Sequence, residues 1–396
     1  MKDTSPAELL QRGVDEVIDA EHLSRQLRRK QIRVKLGIDP TGYQLHLGHA
    51  VPLRRLRAFQ DAGHQAVLII GDFTAQIGDP TGRDKTRPAL SPEQTKKFAA
   101  DYLDQAGKIL DRRTLEVRYN SEWFSRMDSP EIIQLMSRFT VNQILAHETF
   151  GARLKRGEPL SLHEMLYPIL QGYDSVMVNA DLELGGMDQK FNLLIGREVQ
   201  RAFNQDPQDV MLCSYLLGTD GKIKMGKTAG NYIALDDPAE EMYGKIMSIP
   251  DKRIVEYFEL ASNFTEAEIV EVKTQLKKKT VNPKDVKAAL ARRIVEMYHG
   301  EQDALYAETH FDTVHRKKTA PAEMSTMTIR GQSHNILDLL VSQKLAVSRS
   351  EGRRLIEQGG VRIDQKVVTD WQQPIRIPNN AVLQVGKRRF IRITIS

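Results

Sequence analysis

The sequence predicts an α/β protein with a doubly wound parallel sheet, followed by a helical region and a small α+β unit. Three observations predict this class. The first half alternates short apolar runs with amphipathic segments. Apolar residues between 236 and about 315 recur at helical spacing, and short helix-like and strand-like runs alternate after 335. Because 396 residues exceed what one hydrophobic core usually supports, we expect several domains.

The sheet prediction begins with one βαβ unit. Residues 32–38 are a strand candidate that stops at the turn-forming residues 39–42. The helix that follows has apolar residues at helical spacing, with Pro52 expected in its first turn and Gly63 at its end. Residues 66–70 form a continuous apolar run, typical of a strand covered on both faces. Such units build parallel, doubly wound sheets.

The helical region is predicted from spacings such as Val286, Leu290 and Ile294. We assign residues 1–235 to the sheet domain, 236–320 to the helical domain and 321–334 to a linker, because the segment after 315 mixes basic residues, Pro, Ser and Gly without periodicity.

Residues 335–396 form the predicted terminal unit. It has helix candidates at 336–345 and 350–358, a turn at Gly359-Gly360, and a strand at 361–363 with Arg362 pointing outward.

Composition narrows the functional classes. The net charge of +5 fits a polyanionic partner, and basic residues crowd the end of the chain. The acidic opening segment and the lack of an uncharged run of membrane-spanning length lead us to expect a cytoplasmic protein without a membrane association. A single cysteine, Cys213, permits no internal disulfide and no cysteine-based zinc cage, and its simplest role is a small buried apolar residue.

The first motif with chemical meaning is Leu45-His46-Leu47-Gly48-His49, which lies after a predicted strand and at the start of a helix. Helix N-termini favour anionic phosphates, and Gly48 leaves room for a nucleotide. Two histidines three residues apart share one helical face and can donate hydrogen bonds to phosphate. A zinc site would need a third ligand, and histidines without any role are the simplest alternative. We expect no metal held by this segment.

The second motif, 221–228, matches the P-loop pattern GxxxxGK[ST]. A P-loop must open a helix, yet residues 229–238 contain a glycine, β-formers and a proline where that helix should run. We therefore predict that the match is false.

Together the two motifs resemble a known pair. His46-Leu47-Gly48-His49 resembles the HIGH signature of class I aminoacyl-tRNA synthetases, and Lys224-Met225-Gly226-Lys227-Thr228 resembles the KMSKS signature. Further segments are similar to the tyrosyl enzymes over nearly the whole chain, namely 37–41, 77–82, 167–174 and 185–192. The resemblance implies a Rossmann-like catalytic domain, a helical anticodon-binding domain and an S4-like RNA-binding domain.

The resemblance also implies the site. The residues expected to act in catalysis are Thr41, His46, His49, Lys224, Lys227 and Thr228. Those expected to bind ATP are Gly37, Asp39, His46, Gly48, His49, Gly186, Asp188 and Lys227. Those expected to bind tyrosine are Thr74, Asp79, Asn120, Tyr167, Gln171, Asp174 and Gln189. Among these, Asp174 matches the residue that meets the phenol, which would disfavour phenylalanine because a buried carboxylate would lose its partner.

One position departs from the better-studied tyrosyl enzymes, which place a second tyrosine where this chain has Lys35. Its ammonium group could donate to the phenol oxygen or pair with Asp174, and the sequence leaves both open.

The terminal segment 348–363 resembles an S4-like RNA-binding module, and Arg349, Arg353, Arg354 and Arg362 are its expected RNA contacts. A solvated charged face is the alternative. The implied partners are tRNA-Tyr, ATP and L-tyrosine, with Mg²⁺ accompanying ATP, no tightly bound cofactor, and a homodimer as the assembly.

Two rival functions remain open from the sequence. Tryptophan could be the substrate, because the tryptophanyl enzymes share this subclass, although Asp174 and Gln171 argue against an indole. The chain could also be an RNA-binding protein whose synthetase body is catalytically silent.

Overall fold

The computed structural model describes residues 6–81, 90–315, 324–329, 331, 333–343, 345–386 and 389–395. The chain folds as two compact units, Met1–Ala304 and Leu305–Ser396. The boundary falls inside one helix, Glu301–His315. Gly82, Lys344, Lys387 and Arg388, which belong to segments interpreted above, lie outside the described residues.

The first unit is built on a six-stranded sheet with the order β1-β6-β5-β2-β3-β4. Its strands are β1 (Val14–Ile18), β2 (Arg33–Ile38), β3 (Gln65–Ile70), β4 (Glu116–Tyr119), β5 (Leu182–Gly186) and β6 (Asp209–Cys213). Strand β1 is antiparallel to β6, and every other pair is parallel. The chain winds from β2 toward β4 in one direction and places β5 and β6 on the other side of β2. The predicted doubly wound parallel sheet is confirmed, with its switch point between β2 and β5.

Helices accompany this sheet and continue past it. They are α1 (Pro6–Leu9), α2 (Ala20–Arg29), α3 (Leu47–Asp61), α4 (Thr74–Ile77), α5 (Pro92–Ala106), α6 (Ser121–Phe124), α7 (Ser129–Met136), α8 (Val141–Leu145), α9 (Glu148–Lys155), α10 (Leu162–Met177), α11 (Lys190–Ala202), α12 (Ala239–Met247), α13 (Ile254–Ala261), α14 (Glu266–Lys278), α15 (Pro283–His299) and α16 (Glu301–His315). In the part of the chain that the structure describes, every helix is too short or too polar to cross a membrane.

Local sequence explains how α3 and α10 are placed. Helix α3 begins at Leu47, so Pro52 is its sixth residue and not, as predicted, part of the first turn. Pro52 therefore donates no hydrogen bond to the carbonyl of Gly48, one turn earlier. Helix α10 packs directly on α11, because Gly172 has no Cβ, which would lie 2.6 Å from Cγ2 of Val199. This close packing fixes the face of α10 that points toward the sheet.

Among the described residues, the second unit contains most of α16, two further helices and two small sheets. The helices within it are α17 (Ile336–Ser342) and α18 (Arg349–Glu357). Strands β7 (Ser325–Ile329), β9 (Val361–Ile363), β10 (Lys366–Val367), β12 (Ala381–Val385) and β13 (Arg389–Ile395) form one sheet in the order β10-β9-β12-β13-β7, and β8 (Ser333–His334) pairs with β11 (Ile375–Arg376). Buried apolar residues of both helices and the larger sheet form one core.

The structure of this unit corrects the prediction that residues 321–334 form a linker. Residues 321–323, 330 and 332 lie outside the described residues, but 325–329 form β7, which pairs in parallel with β13. The segment escaped prediction because its alternation is short and its inward residues, Met327 and Ile329, stand among serine and threonine.

Candidate active site

A cavity of about 340 Å³ opens at the carboxyl ends of the parallel strands. Residues that follow β2, β3, β5 and β6 line it, together with the start of α3 and one face of α10. In doubly wound sheets, ligands bind at this edge, where the strand order reverses. The topology alone thus makes this cavity the candidate active site.

Most residues that the sequence nominated meet here. The cavity is lined by Gly37, Asp39, Thr41, His46, Gly48, His49, Thr74, Asp79, Tyr167, Gln171, Asp174, Gly186, Asp188, Gln189 and Lys224. Asn120, Lys227 and Thr228 stand outside this lining: Asn120 is fully buried, whereas Thr228 is exposed.

The two histidines lie side by side at the start of α3, with ring centroids 3.8 Å apart. The backbone N–H of His46 donates to Nδ1 of His49 at 3.2 Å, so neutral His49 carries its proton on Nε2. Burial, followed by the charges of Lys227 and Lys224, lowers the pKa of His46 to about 3. Burial also lowers the pKa of His49. Both rings are therefore neutral near pH 7, and each offers one N–H donor to a phosphate.

The loop 224–228 is held against this helix start. The backbone N–H of Leu47 donates to Ile233 at 2.9 Å, and that of Leu235 donates to Leu45 at 2.9 Å. Asn231 is buried and accepts from the backbone N–H of Gly226 at 2.9 Å. The two motifs are thus joined by backbone pairing, although about 180 residues separate them.

The P-loop interpretation fails for the reason expected from the sequence. No helix follows 221–228; the chain continues through turns and bridges until α12 begins at Ala239.

The two loop lysines make specific contacts in this structure. Nζ of Lys224 pairs with Asp188 at 2.6 Å. Nζ of Lys227 donates to the hydroxyl oxygen of Tyr102 at 3.3 Å and lies 5.5 Å from the centre of that ring. Both lysines have to exchange these neighbours for phosphate oxygens if they are to act on a nucleotide.

A hydrogen-bonded group of side chains forms the wall after β2 and β3. Asp39 accepts from the hydroxyl of Thr74 at 2.8 Å and from that of Tyr167 at 3.0 Å. Burial, with Asp39 as the nearest charge, raises the pKa of Tyr167, which keeps it a neutral donor. Gly71 permits this wall, because a Cβ there would lie 2.0 Å from Oδ1 of Asp39.

Asp174 lies at the inner end of the cavity and is 4% exposed. Its oxygens accept from Nε1 of Trp123 at 3.0 Å and from Nδ2 of Asn120 at 3.3 Å. Burial raises the pKa of Asp174 to about 7 even though Lys35 opposes that shift. Asn120 also donates to Thr74 at 2.9 Å, so it orients two lining residues and does not face the cavity itself.

A second polar group lies near the mouth. Nε2 of Gln189 donates to Asp79 at 2.6 Å, and Nδ2 of Asn192 donates to Gln189 at 3.1 Å. Asp79 in turn accepts from the backbone N–H of Thr81 at 2.9 Å. Carboxylate and amide oxygens at this position suit an ammonium group.

Lys35 does not pair with Asp174 in this structure. Its Nζ forms an ion pair with Glu183 at 3.0 Å, and both side chains are buried. The partner of Lys35 is therefore Glu183, a residue that the sequence analysis did not identify. A signal existed, because Lys35 and Glu183 are opposite charges among buried residues of β2 and β5 that are otherwise apolar.

Other lining residues were also missed. Gly71, Ser214 and Tyr215 line the cavity, and so does Cys213, whose predicted burial is confirmed. Their common signal is position, since each ends or follows a strand of the parallel sheet.

The four nominated arginines of the second unit are all exposed, three on α18 and Arg362 on β9. Arg349 pairs with Asp338, and Arg353 pairs with Glu357 at 2.7 Å. These pairs lie on an exposed surface, where ion pairs contribute little stability and exchange readily for other anions.

Elsewhere in the described residues, Asp19, His22 and Asp209 bring three potential metal ligands together. Asp209 is the first residue of β6, so it lies at the end of that strand that is far from the cavity. Nδ1 of His22 lies 3.0 Å from each carboxyl oxygen of Asp209. His22 is therefore already a partner of that buried carboxyl group.

Comparisons with known proteins agree with this geometry. Residues 27–316 match the family model described as tRNA synthetases class I (W and Y), and residues 336–379 match the S4 domain. A tyrosine–tRNA ligase of Thermotoga maritima is 49% identical over 387 residues, which cover 98% of this chain and 96% of that protein. A tyrosine–tRNA ligase of Salinibacter ruber is 46% identical, covering 97% and 95%.

Solved structures resemble the fold. A C-terminally truncated mitochondrial tyrosyl-tRNA synthetase of Aspergillus nidulans matches with a TM-score of 0.66 and 22% identity, over 80% of this chain and 95% of that one. A tyrosyl-tRNA synthetase of Archaeoglobus fulgidus complexed with L-tyrosine matches with a TM-score of 0.62 and 22% identity, over 76% and 98%.

Proposed function

The chain belongs to the class I tRNA synthetases of the W and Y type, and from this premise we propose that it is a tyrosine–tRNA ligase. It activates L-tyrosine with ATP and transfers the tyrosyl group to the 3′-terminal adenosine of tRNA-Tyr. The observation that carries the proposal is the backbone pairing of the 45–47 segment with the 233–235 segment, beside a cavity that both histidines and Lys224 line.

The first step needs little acid–base chemistry. The carboxylate oxygen of tyrosine attacks the α-phosphorus of ATP, a P–O bond forms, and pyrophosphate leaves. Positioning and stabilisation of phosphate charge are then the main sources of rate. His46 and His49 donate neutral N–H groups from the helix side, with Thr41 beside them. Lys224 and Lys227 supply positive charge from the loop.

Thr228 stands at the end of that loop and serves with its lysines. For the nucleotide, Gly37, Gly48 and Gly186 leave space near the backbone, and Asp39 and Asp188 accept from ATP hydroxyl or amino groups. Magnesium enters bound to the ATP phosphates, as hard oxygen ligands suit it.

Tyrosine fits with its phenol at the inner end and its ammonium group near the mouth. Asp174 accepts from the hydroxyl, which an indole cannot match in position, so tyrosine is favoured over tryptophan. Asp79, Tyr167, Gln171 and Gln189 surround the amino-acid backbone of the substrate. Thr74 and Asn120 support these contacts from behind.

In the second step, a ribose hydroxyl of the terminal adenosine attacks the tyrosyl carbonyl carbon, and AMP leaves. The anticodon region binds 236–320, and the terminal unit 335–396 holds the RNA backbone through Arg349, Arg353, Arg354 and Arg362. We place this activity in the cytoplasm, which suits a chain with one free, buried cysteine.

A homodimer is part of this proposal. Large apolar side chains are exposed on the consecutive helices α7, α8, α9 and the start of α10, where a second copy would cover them: Ile133, Met136, Val141, Leu154 and Leu162. Light scattering of the purified protein and of Ile133→Glu tests this, because the variant should lose dimer mass.

The decisive test of function is amino-acid-dependent ATP–pyrophosphate exchange on the purified protein. Tyrosine should support exchange, and tryptophan and phenylalanine should not do so at equal concentration. Exchange with tryptophan would overturn the substrate assignment. Binding of tRNA without any exchange would instead identify a catalytically silent RNA-binding protein.

A further inference from the structure

A buried charge pair lies beneath the inner end of the cavity. Lys35 of β2 is 0% exposed and Glu183 of β5 is 1% exposed. They are register partners in two parallel strands, so their side chains leave the sheet on the same side. Their charged atoms lie 3.0 Å apart.

Protein acceptors surround the ammonium group of Lys35. Nζ donates to the backbone carbonyl of Gln171 at 2.9 Å and to Oγ of Ser175 at 2.7 Å, and it forms an ion pair with Glu183 at 3.0 Å. A lysine ammonium group carries three N–H donors, and these three acceptors match that number. Two of these acceptors lie one turn apart on α10, so Lys35 ties β2 to that helix.

Glu183 completes the arrangement from the other side. It accepts from Nε2 of Gln171 at 3.2 Å, from Oγ of Ser175 at 3.2 Å and from Nε2 of Gln208. Glu183 thus orients the side-chain amide of Gln171, and Lys35 binds the backbone carbonyl oxygen of the same residue. The turn of α10 that these contacts fix also carries Asp174.

We propose that Lys35 and Glu183 are a positioning pair for tyrosine recognition, which hold Gln171 and Asp174 in place and balance the charge around Asp174 without touching the substrate. The proposal rests on the proposed function and deepens it by assigning what determines the state of the phenol-binding carboxyl group. It also explains why a lysine can stand at the base of this pocket without contacting the ligand.

The charge balance gives the proposal a signature. Near Asp174, Lys35 favours the ionised carboxylate and Glu183 disfavours it. The other groups that face Asp174 are the neutral donors Asn120 and Trp123. The other ionisable residues that line the same cavity are Asp39, His46, His49, Asp79, Tyr167, Asp188, Cys213, Tyr215 and Lys224. Loss of Lys35 should therefore raise the pKa of Asp174, and loss of Glu183 should lower it.

The experiment measures kcat/KM for tyrosine in pyrophosphate exchange between pH 6 and 9. In Lys35→Met the inflection should move to higher pH, and in Glu183→Gln to lower pH, each by roughly one pH unit. The double variant should return close to the wild-type position, because both charges are gone. A merely structural role would reduce kcat/KM in both single variants without moving the inflection in opposite directions.

Lys30→Met is the matched control, since Lys30 pairs with Asp181 outside the cavity and is half-exposed. Its profile should equal that of the wild type. If Lys35→Met does not fold, the double variant and Ser175→Ala still test the idea, because removal of a buried pair as a whole is tolerated far better than removal of one partner.

Three outcomes would overturn the positioning role. These are single variants whose inflections stay in place, inflections that move in the same direction, or a double variant that keeps the full loss of Lys35→Met. The last result would mean that Lys35 contacts the substrate directly. Failure of the underlying function is distinguishable, because the wild-type protein itself would then show no tyrosine-dependent exchange.

Discussion

Replacement of Asp174 by asparagine tests the recognition of the phenol most directly. The change keeps the size of the side chain and removes its charge. In the structure, the two carboxyl oxygens already accept from Trp123 and Asn120, and the remaining acceptor positions face the cavity. An asparagine can accept through only one oxygen, and its amide group would meet either the amide of Asn120 or the hydroxyl of the substrate.

The expected loss follows from these contacts. A hydrogen bond to a charged group contributes about 1 to 2 kcal/mol more than a neutral one, and a buried donor left without an acceptor costs about 1 to 3 kcal/mol. Asp174→Asn should therefore lose about 2 to 4 kcal/mol of transition-state stabilisation for tyrosine. This corresponds to roughly a 30- to 1000-fold decrease in kcat/KM, since each 1.36 kcal/mol is about tenfold.

Phenylalanine supplies the internal comparison. In the wild type, a bound phenylalanine would leave the acceptor positions of the ionised carboxyl group that face the cavity unfilled, and the variant removes the charge that makes this costly. The activity with phenylalanine should therefore stay constant or rise while that with tyrosine falls. Pyrophosphate exchange at pH 8, above the pKa of about 7, measures both. Asp206→Asn, at an exposed position after α11, is the matched control.

The reasoning would be refuted if Asp174→Asn kept kcat/KM for tyrosine within about threefold of the wild type. Loss of a charged acceptor for the phenol should reduce transition-state stabilisation by more than that. An equal loss for tyrosine and phenylalanine would also refute it, since the damage would then concern the shape of the pocket.

Three further predictions follow from the same structure. Lys227→Ala should slow adenylate formation in single-turnover assays much more than it weakens tyrosine binding, because its charge is needed on the phosphates of the transition state. Gly71→Ala should abolish exchange and lower the Tm, because the added Cβ would lie 2.0 Å from Oδ1 of Asp39. Arg153→Met should lower the free energy of unfolding in urea by about 3 to 5 kcal/mol, because it removes the cation that now lies 2.9 Å from the buried carboxylate of Glu164.

Each of these predictions has a control within the chain. Lys222→Ala changes an exposed lysine of the same loop and should leave the rate intact. Gly244→Ala, where a Cβ has open space inside α12, should be neutral or stabilising. The double variant Arg153→Met/Glu164→Leu should recover most of the lost stability. An unfolding free energy for Arg153→Met equal to that of the wild type would mean that Glu164 is solvated or protonated without cost.

Asp174 also links function to stability. Burial raises its folded-state pKa from 3.8 to about 7, so the folded protein holds this proton more tightly than the unfolded chain does. The contribution to stability is therefore present below about pH 4 and is lost as pH rises toward 7. This direction is the reverse of that for a salt-bridged aspartate, and it is the cost of keeping an acceptor buried for a substrate hydroxyl.

The sequence by itself determined the elements and the two motifs. The apolar run before Asp39, the helix start at His46 and the glycine-bounded loop around Lys227 are local patterns, because hydrophobic periodicity and helix capping act over a few residues. The strand edge at which ligands bind also follows from the order of strands and helices along the chain. The strand before Asp39 and the helix start beside His46 were confirmed.

Only the tertiary structure decided which distant groups are partners. Lys35 meets Glu183 because β2 and β5 are neighbours in a fixed register, and no local pattern encodes that register. Asn120 turned out to support the cavity from behind, and 325–329 became a strand because β13 offered it a parallel edge. Partner choice of this kind depends on packing summed over the whole fold, whereas the propensity for helix or strand is already present in a short segment.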